Sequence, residues 1–187
     1  LYSGTVIPNR GTWLEYETDA SDVFYVRIDK NRKLPVTSLI RAIGLETDQE
    51  MLDMFGDDVR IKTTIEKDPA KTADDAFLEI YRRLRPGEPP TVDASRSLLY
   101  SLFFDRRYDL SKVGRFKYNQ KMDLAPRITG KTLAEPAVCP MTGEILADAG
   151  ETLTAEKAAL IAARGVSRVL LDVDGKTIVC FDNGMVK

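Results

Sequence analysis

From residue 2 to residue 29, hydrophobic and polar side chains alternate with a period of two, the spacing of half-buried strands. Three strands are predicted, over 2–8, 12–18 and 23–29. The turn-rich tetrapeptide Asp19-Ala20-Ser21-Asp22 joins the second to the third. In the third, Phe24, Val26 and Ile28 form an apolar set that faces a core, and Tyr25, Arg27 and Asp29 face the other way. In the second, Leu14 and Tyr16 share one face, and Trp13, Glu15 and Glu17 share the other. The only tryptophan in the chain therefore stands on a charged face, just after a Pro8-Asn9-Arg10-Gly11 turn.

Beyond residue 34 the period lengthens to that of a helix. Pro35 opens a helix with Leu39, Ile40 and Ile43 inward, ending near Gly44. Thr47 with Glu50 three positions on is a capping box. It starts a short helix expected to bury Met51, Met54 and Phe55 and to stop at Gly56. Val59, Ile61, Thr63 and Ile65 alternate again, so 59–65 is predicted as a strand. Thr72 and Asp75 make a second capping box, followed by an apolar stripe of Phe77, Ile80, Tyr81 and Leu84. That helix stops at Arg85, because Pro86 disfavours helical backbone in the residue before it. Thr91 caps a further helix through Leu98, Leu99, Leu102 and Phe103, and 110–119 reads as a short basic helix.

The character of the chain changes near Pro126. Short strands flank a Thr142-Gly143 hairpin signal. Thr154 caps an alanine-rich helix that Gly165 stops, and strands at 166–173 and 176–181 turn around Asp174-Gly175. The expected fold class is α+β: antiparallel strands near the N-terminus with packed helices (1–121), then a small α+β module (122–187).

Composition narrows the chemistry. The 187 residues suit one medium domain or two small ones. With 27 basic and 29 acidic residues the net charge is −2, which argues against a bulk nucleic-acid binder. Charge is uneven, however. Arg27, Lys30, Arg32, Lys33 and Arg41 outnumber Asp22 and Asp29, and Arg106, Arg107, Lys112, Arg115, Lys117 and Lys121 outnumber Asp105 and Asp109. Between these runs, 46–58 carries only acids. Such a chain can touch a polyanion along one side.

Histidine is absent, which removes the commonest general base and metal ligand and any Ser-His-Asp or Cys-His mechanism. Cys139 and Cys180 form no CxxC pair, which disfavours a structural zinc site and a disulfide framework and favours a reducing, cytoplasmic compartment. No apolar run is long enough to span a bilayer, so no membrane partner is expected. Nor does any nucleophile–base motif or phosphate-binding loop occur, so neither catalytic residues nor a metal site are expected in the chain. The chain begins at Leu1, already inside a strand pattern, as expected of a piece of a longer protein.

Trp13 has two readings. Tryptophan is usually largely buried, so another element could cover it. An exposed indole beside basic residues could instead hold an unpaired base by its π-face, with Arg10, Arg27 and Lys30 near enough in sequence to contact phosphate. Spacing alone leaves both open. The basic runs RIDKNRKLP and RRLR are, by themselves, an ordinary solvated loop and an ordinary helix end that complements the helix dipole.

Four blocks go further: VIPNRGTWLE, YVRIDKNRKLPVTSLIRAIG, EIYRRLRPGEPPT and FFDRRYDLSKVGRFKYN, in this order over most of residues 6–119. Together they resemble the lobe region (lobe 2) of the β subunits of bacterial DNA-directed RNA polymerase. The resemblance implies a fragment of a much longer, cytoplasmic subunit of a nucleotidyltransferase. Its catalytic Mg²⁺ would be bound by β′, so this fragment would hold no cofactor and no catalytic residue. The lobe would form one wall of the DNA cleft, facing downstream duplex and the non-template strand. The β′, α and ω subunits and σ factor are the implied protein partners. The position matching Trp13 stacks on a non-template base, and Asp29, Lys30, Arg85 and Arg107 are the other positions implied near DNA. Asn31 interrupts a run that is often fully basic, which would remove one phosphate contact, and 57–71 matches poorly. The segment TLAEPAVCPMTGEILADAGETLT resembles a small, lineage-variable β–β′ module type of insertion, for which surface or partner docking is expected. The acidic 46–58 segment and this module support a second expectation: a docking surface for σ or other transcription factors.

Overall fold

The structure, a computed structural model, describes residues 1–183. It is α+β, and the chain divides into two compact units, the first Leu1–Ser111 and the second from Lys112 onward. The first opens with a four-stranded antiparallel sheet in sequence order: β1 (Ser3–Val6), β2 (Leu14–Thr18), β3 (Phe24–Ile28) and β4 (Leu34–Pro35). Register pairs Leu14 with Ile28, Tyr16 with Val26 and Thr18 with Phe24, so the apolar sets of β2 and β3 share one face. Asp19 closes their hairpin by accepting the amides of Val23 (3.0 Å) and Ser21 (2.9 Å). These bonds favour the charged carboxylate, the Val23 amide most, and hold its pKa below the usual value.

The helices α1 (Val36–Ile43), α2 (Asp48–Phe55), α3 (Val59–Lys67), α4 (Ala73–Leu84) and α5 (Val92–Phe103) follow. Both capping boxes form. The Thr47 hydroxyl accepts the Glu50 amide at 3.2 Å and the Glu50 carboxylate accepts the Thr47 amide at 2.8 Å. Thr72 and Asp75 make the same exchange at 3.1 and 3.2 Å. Val26, Ile28, Leu34, Leu39, Phe77, Ile80 and Leu99 build one core between the sheet and α1, α4 and α5. A smaller core of Met51, Ile61 and Ile65 lies under α2 and α3.

The strand predicted over 59–65 is instead the helix α3. Asp58 caps it, accepting the Arg60 amide at 2.8 Å. Ile61 and Ile65 fit a helical i, i+4 pair as well as an alternating strand, and the Asp58 cap decides between them. Buried Thr64, on the same face, accepts the Phe24 amide at 2.8 Å and ties α3 to β3. Val59, which a strand would have turned inward with Ile61, is 58% exposed.

Three side chains differ from their expected burial. Ile43 lies in the last turn of α1, beside exposed Gly44, and is 55% exposed. Met54 is exposed because Met51, Leu52 and Phe55 take the inward positions of α2. Arg41, counted above with the basic patch, is 1% exposed. The inward face of α1 carries Thr37, Ser38 and Arg41 because a buried carboxylate, Asp68, packs against it. Asp68 accepts both hydroxyls, at 2.6 and 2.7 Å, and the Ala70 amide at 2.9 Å. Arg41 Nε lies 3.6 Å from the same carboxylate, and its terminal nitrogens reach Asp48 and, at 2.5 Å, the Glu46 carbonyl.

The second unit comprises α6 (Ser111–Met122, entering from the first), α7 (Leu124–Ile128), β5 (Thr132–Leu133), β6 (Ala137–Val138), β7 (Ile145–Ala147), α8 (Ala155–Ala163), β8 (Arg168–Val173) and β9 (Lys176–Phe181). The strands form a β5-β8-β9 sheet and a β6–β7 pair. Asp174 and Gly175, at φ 52° and 74°, make the β8–β9 turn, and Gly143 sits between β6 and β7. The Thr154 hydroxyl caps α8 by accepting the Lys157 amide at 3.3 Å. Leu124, Ile128, Leu133, Leu146, Leu153, Ile161, Val169 and Leu171 form this unit's own core. The Arg127 guanidinium donates to the carbonyls of Asp123 (3.0 Å), Met122 and Phe181, joining α7 to β9. Among the described residues no helix is long and apolar enough to cross a membrane.

Candidate nucleic-acid interface

The entrance to β2 is held from two sides. On one, Arg10 and Asp109 exchange backbone hydrogen bonds of 3.0 and 2.7 Å. The Arg10 guanidinium also donates to the Arg106 carbonyl at 2.6 Å. Gly11 is required in this seam. Its φ of 128° is left-handed, and a Cβ there would lie 2.6 Å from the Tyr108 ring. On the other side, the Trp13 carbonyl accepts the Asp29 amide at 3.0 Å, one step past the end of the β2–β3 ladder. Thr12 turns inward and Trp13 turns out, with 37% of its surface exposed.

Asp29 and Lys30 are the central residues of the turn leaving β3. Both are left-handed, at φ 53° and 60°, and the Asn31 amide closes the turn on the Ile28 carbonyl at 3.2 Å. Positive φ at both positions is the type I′ pattern, which usually calls for Asn-Gly because other residues clash there. An Asp-Lys pair costs about 1–2 kcal/mol per residue for that geometry. The Asn31 side chain partly offsets this cost by donating to the Ile28 carbonyl at 2.9 Å. Asn31 thus shapes the corner rather than merely interrupting a basic run. The turn carries Lys30 back over the indole, its ammonium 5.3 Å from the ring centroid. That distance is within cation–π range.

The other expected positions divide. Arg107 is exposed in the turn after α5, two residues before Asp109, so the Arg10–Asp109 bridge brings its segment to the Trp13 side. Arg85 is exposed at the end of α4, its φ of −133° set by Pro86, and its guanidinium lies 3.6 Å from Glu88. Asp29, Lys30 and Trp13 form one contiguous corner; Arg85 is engaged elsewhere.

Sequence reasoning passed over Glu17. Its carboxylate lies 3.3 Å from Lys33 and 3.6 Å from Arg27, and the Lys33 ammonium sits 4.2 Å above the Tyr25 ring. Part of the signal was available, since alternation puts Glu17 on the Trp13 face, and cross-strand pairing sets it opposite Tyr25 with Arg27 as its diagonal neighbour. Among the described residues no group of three or more acidic, cysteine or histidine side chains could hold a metal. The corner offers an aromatic face and fixed cations, which suit binding rather than proton transfer.

A family model described as RNA polymerase Rpb2, domain 2, matches residues 1–139. The DNA-directed RNA polymerase subunit beta of Acetivibrio thermocellus is 56% identical over 187 residues, all of this chain and 15% of that protein. The corresponding subunits of Clostridium novyi and Clostridium botulinum (strain Okra) are 55% and 54% identical over the same shares. The chain thus spans about 15% of the length of these curated relatives.

Proposed function

The chain belongs to the RNA polymerase Rpb2 domain 2 family, and on that premise we propose that it is a non-catalytic lobe forming one wall of a polymerase DNA cleft. It contacts downstream DNA and the non-template strand of the transcription bubble. The parent enzyme is a cytoplasmic nucleotidyltransferase. Its Mg²⁺ is held by β′, and the chain works beside β′, α, ω and σ.

One observation carries this reading: the Trp13 indole is exposed, with the Lys30 ammonium 5.3 Å from its ring centroid, carried there by a backbone turn that is costly to form. Strain of this kind persists where the surroundings over-determine it, often at ligand-contacting sites. Trp13 stacks an unpaired non-template base, and Lys30 and the Arg107 segment meet phosphates.

The test is Trp13→Ala in a full-length β subunit assembled into holoenzyme, on bubble templates that differ in single non-template bases. Loss of one stacked base costs about 1–3 kcal/mol, seen as a shorter open-complex lifetime that depends on the base presented. Equal lifetimes on every template would overturn the stacking role.

A docking role has a separate support. Paired Val138 and Ile145, with Met141 between their strands, expose apolar side chains on the β6–β7 hairpin. A protein factor whose binding is lost in Met141→Ser with Ile145→Ser, yet survives Trp13→Ala, would establish that role for the second unit.

A further inference from the structure

Glu17, Tyr25, Arg27 and Lys33 lie on the same outer sheet face as Trp13, and fold stability gives little reason for their arrangement. The three charged side chains are 38–41% exposed, and exposed pairs of this kind contribute about 0–1 kcal/mol. Arg27 is directly opposite Glu15 in register, yet its guanidinium approaches Glu17, the carboxylate that also holds Lys33. Across this face Arg27, Lys30 and Lys33 are equal in number to Glu15, Glu17 and Asp29, so the placement of the cations beside the rings, rather than an excess of charge, suits it to a strand. Trp13 under Lys30 lies at one end and Tyr25 under Lys33 at the other, with Arg27 between them. The four residue steps from Trp13 to Glu17 cover about 13 Å, more than one nucleotide of an extended strand. Rings alternating with cations are what grips single-stranded nucleic acid without reading its sequence.

We infer that this face is a single-strand track continuing from Trp13: Arg27 and Lys33 bind phosphates of the strand whose base stacks there, and Glu17 is an internal counter-ion that a phosphate displaces. The inference rests on the reading of Trp13 as a stacking platform. A carboxylate and a phosphate compete for the same two cations. Glu17 keeps both side chains extended over the face when DNA is absent and weakens binding when it is present.

The experiment measures affinity of holoenzyme carrying full-length β for a bubble template across a salt series. Glu17→Gln is expected to bind several-fold more tightly at fixed salt. Arg27→Gln with Lys33→Gln is expected to flatten the log–log salt dependence by about 1.4, at about 0.7 per single-strand phosphate contact. Lys33→Arg, which keeps the charge, restores its share. If Glu17 merely props the strands, Glu17→Gln binds no better than the parent, and the counter-ion role is overturned. An unchanged salt slope in the double variant, with Trp13→Ala still base-dependent, overturns the track and leaves the stacking platform standing. If Trp13→Ala has no base-dependent effect, the reading beneath both falls.

Discussion

Arg41 and Arg27 lie in the same unit, and each meets a carboxylate at 3.6 Å. Their surroundings make them opposites. Arg41 and Asp68 are essentially out of water, and the Asp68 oxygens are filled by Thr37, Ser38 and the Ala70 amide. Such a charge is fixed, because removing either partner strands the other in a low-dielectric interior. Arg27 shares Glu17 with Lys33 under partial solvent exposure, where water screens the attraction and could replace either partner. The same ionic distance therefore marks a structural rivet in one place and an exchangeable contact in the other. Burial, and the three hydrogen bonds that hold the Asp68 carboxylate, distinguish the two.

Asp68→Ala breaks the comparison most strongly. It leaves the buried Arg41 with only the half-exposed Asp48 as counter-ion and frees two hydroxyls, for an expected loss of about 3–5 kcal/mol. Trp13, the only tryptophan, lies in the first unit, so its fluorescence during denaturant unfolding reports that unit alone. Thr64→Val comes next. It keeps the shape of the side chain but removes the acceptor of the Phe24 amide, at an expected cost of about 1–3 kcal/mol. Glu17→Gln is expected to shift the same unfolding free energy by no more than about 1 kcal/mol. A loss as large as that of Asp68→Ala would erase the distinction and make the outer face structural.

What was legible in the sequence was local. Thr47 with Glu50 and Thr72 with Asp75 announce helix starts because both partners lie within one turn. Alternation set Trp13 on the face opposite Leu14 and Tyr16, and in the structure those two pack against the core while Trp13 is exposed. What was not legible depends on distant partners or on unusual backbone. Arg41 reads as a surface cation until Asp68, 27 positions on, is seen packed against it. The Arg10–Asp109 bridge joins segments from opposite ends of the unit. The turn that brings Lys30 over the indole has no glycine to announce it. At 59–65 both periods fit, and the apolar pattern could not choose between them.

A third kind of carboxylate sharpens the comparison with the smallest expected effect. Glu50 and Asp75 are as exposed as surface ion pairs, yet their partners are fixed neighbours in the chain. Hydrogen bonding lowers both pKa values, for Glu50 mainly from the Thr47 amide and for Asp75 mainly from the Thr72 hydroxyl. A carboxyl with a lower pKa in the folded chain binds fewer protons there than in the unfolded one, so stability rises with pH across the interval between the two values. The contribution is complete above the unfolded value, about 4, and is lost as pH falls through the folded value. Glu50→Gln and Asp75→Asn should therefore be less stable than the parent at neutral pH, and the deficit should shrink steadily on acidification below about pH 4. Unfolding free energies followed at Trp13 between pH 7 and pH 2 measure that deficit. A deficit that stays constant with pH would mean that these side chains cap their helices through shape and neutral hydrogen bonds, with no contribution from charge.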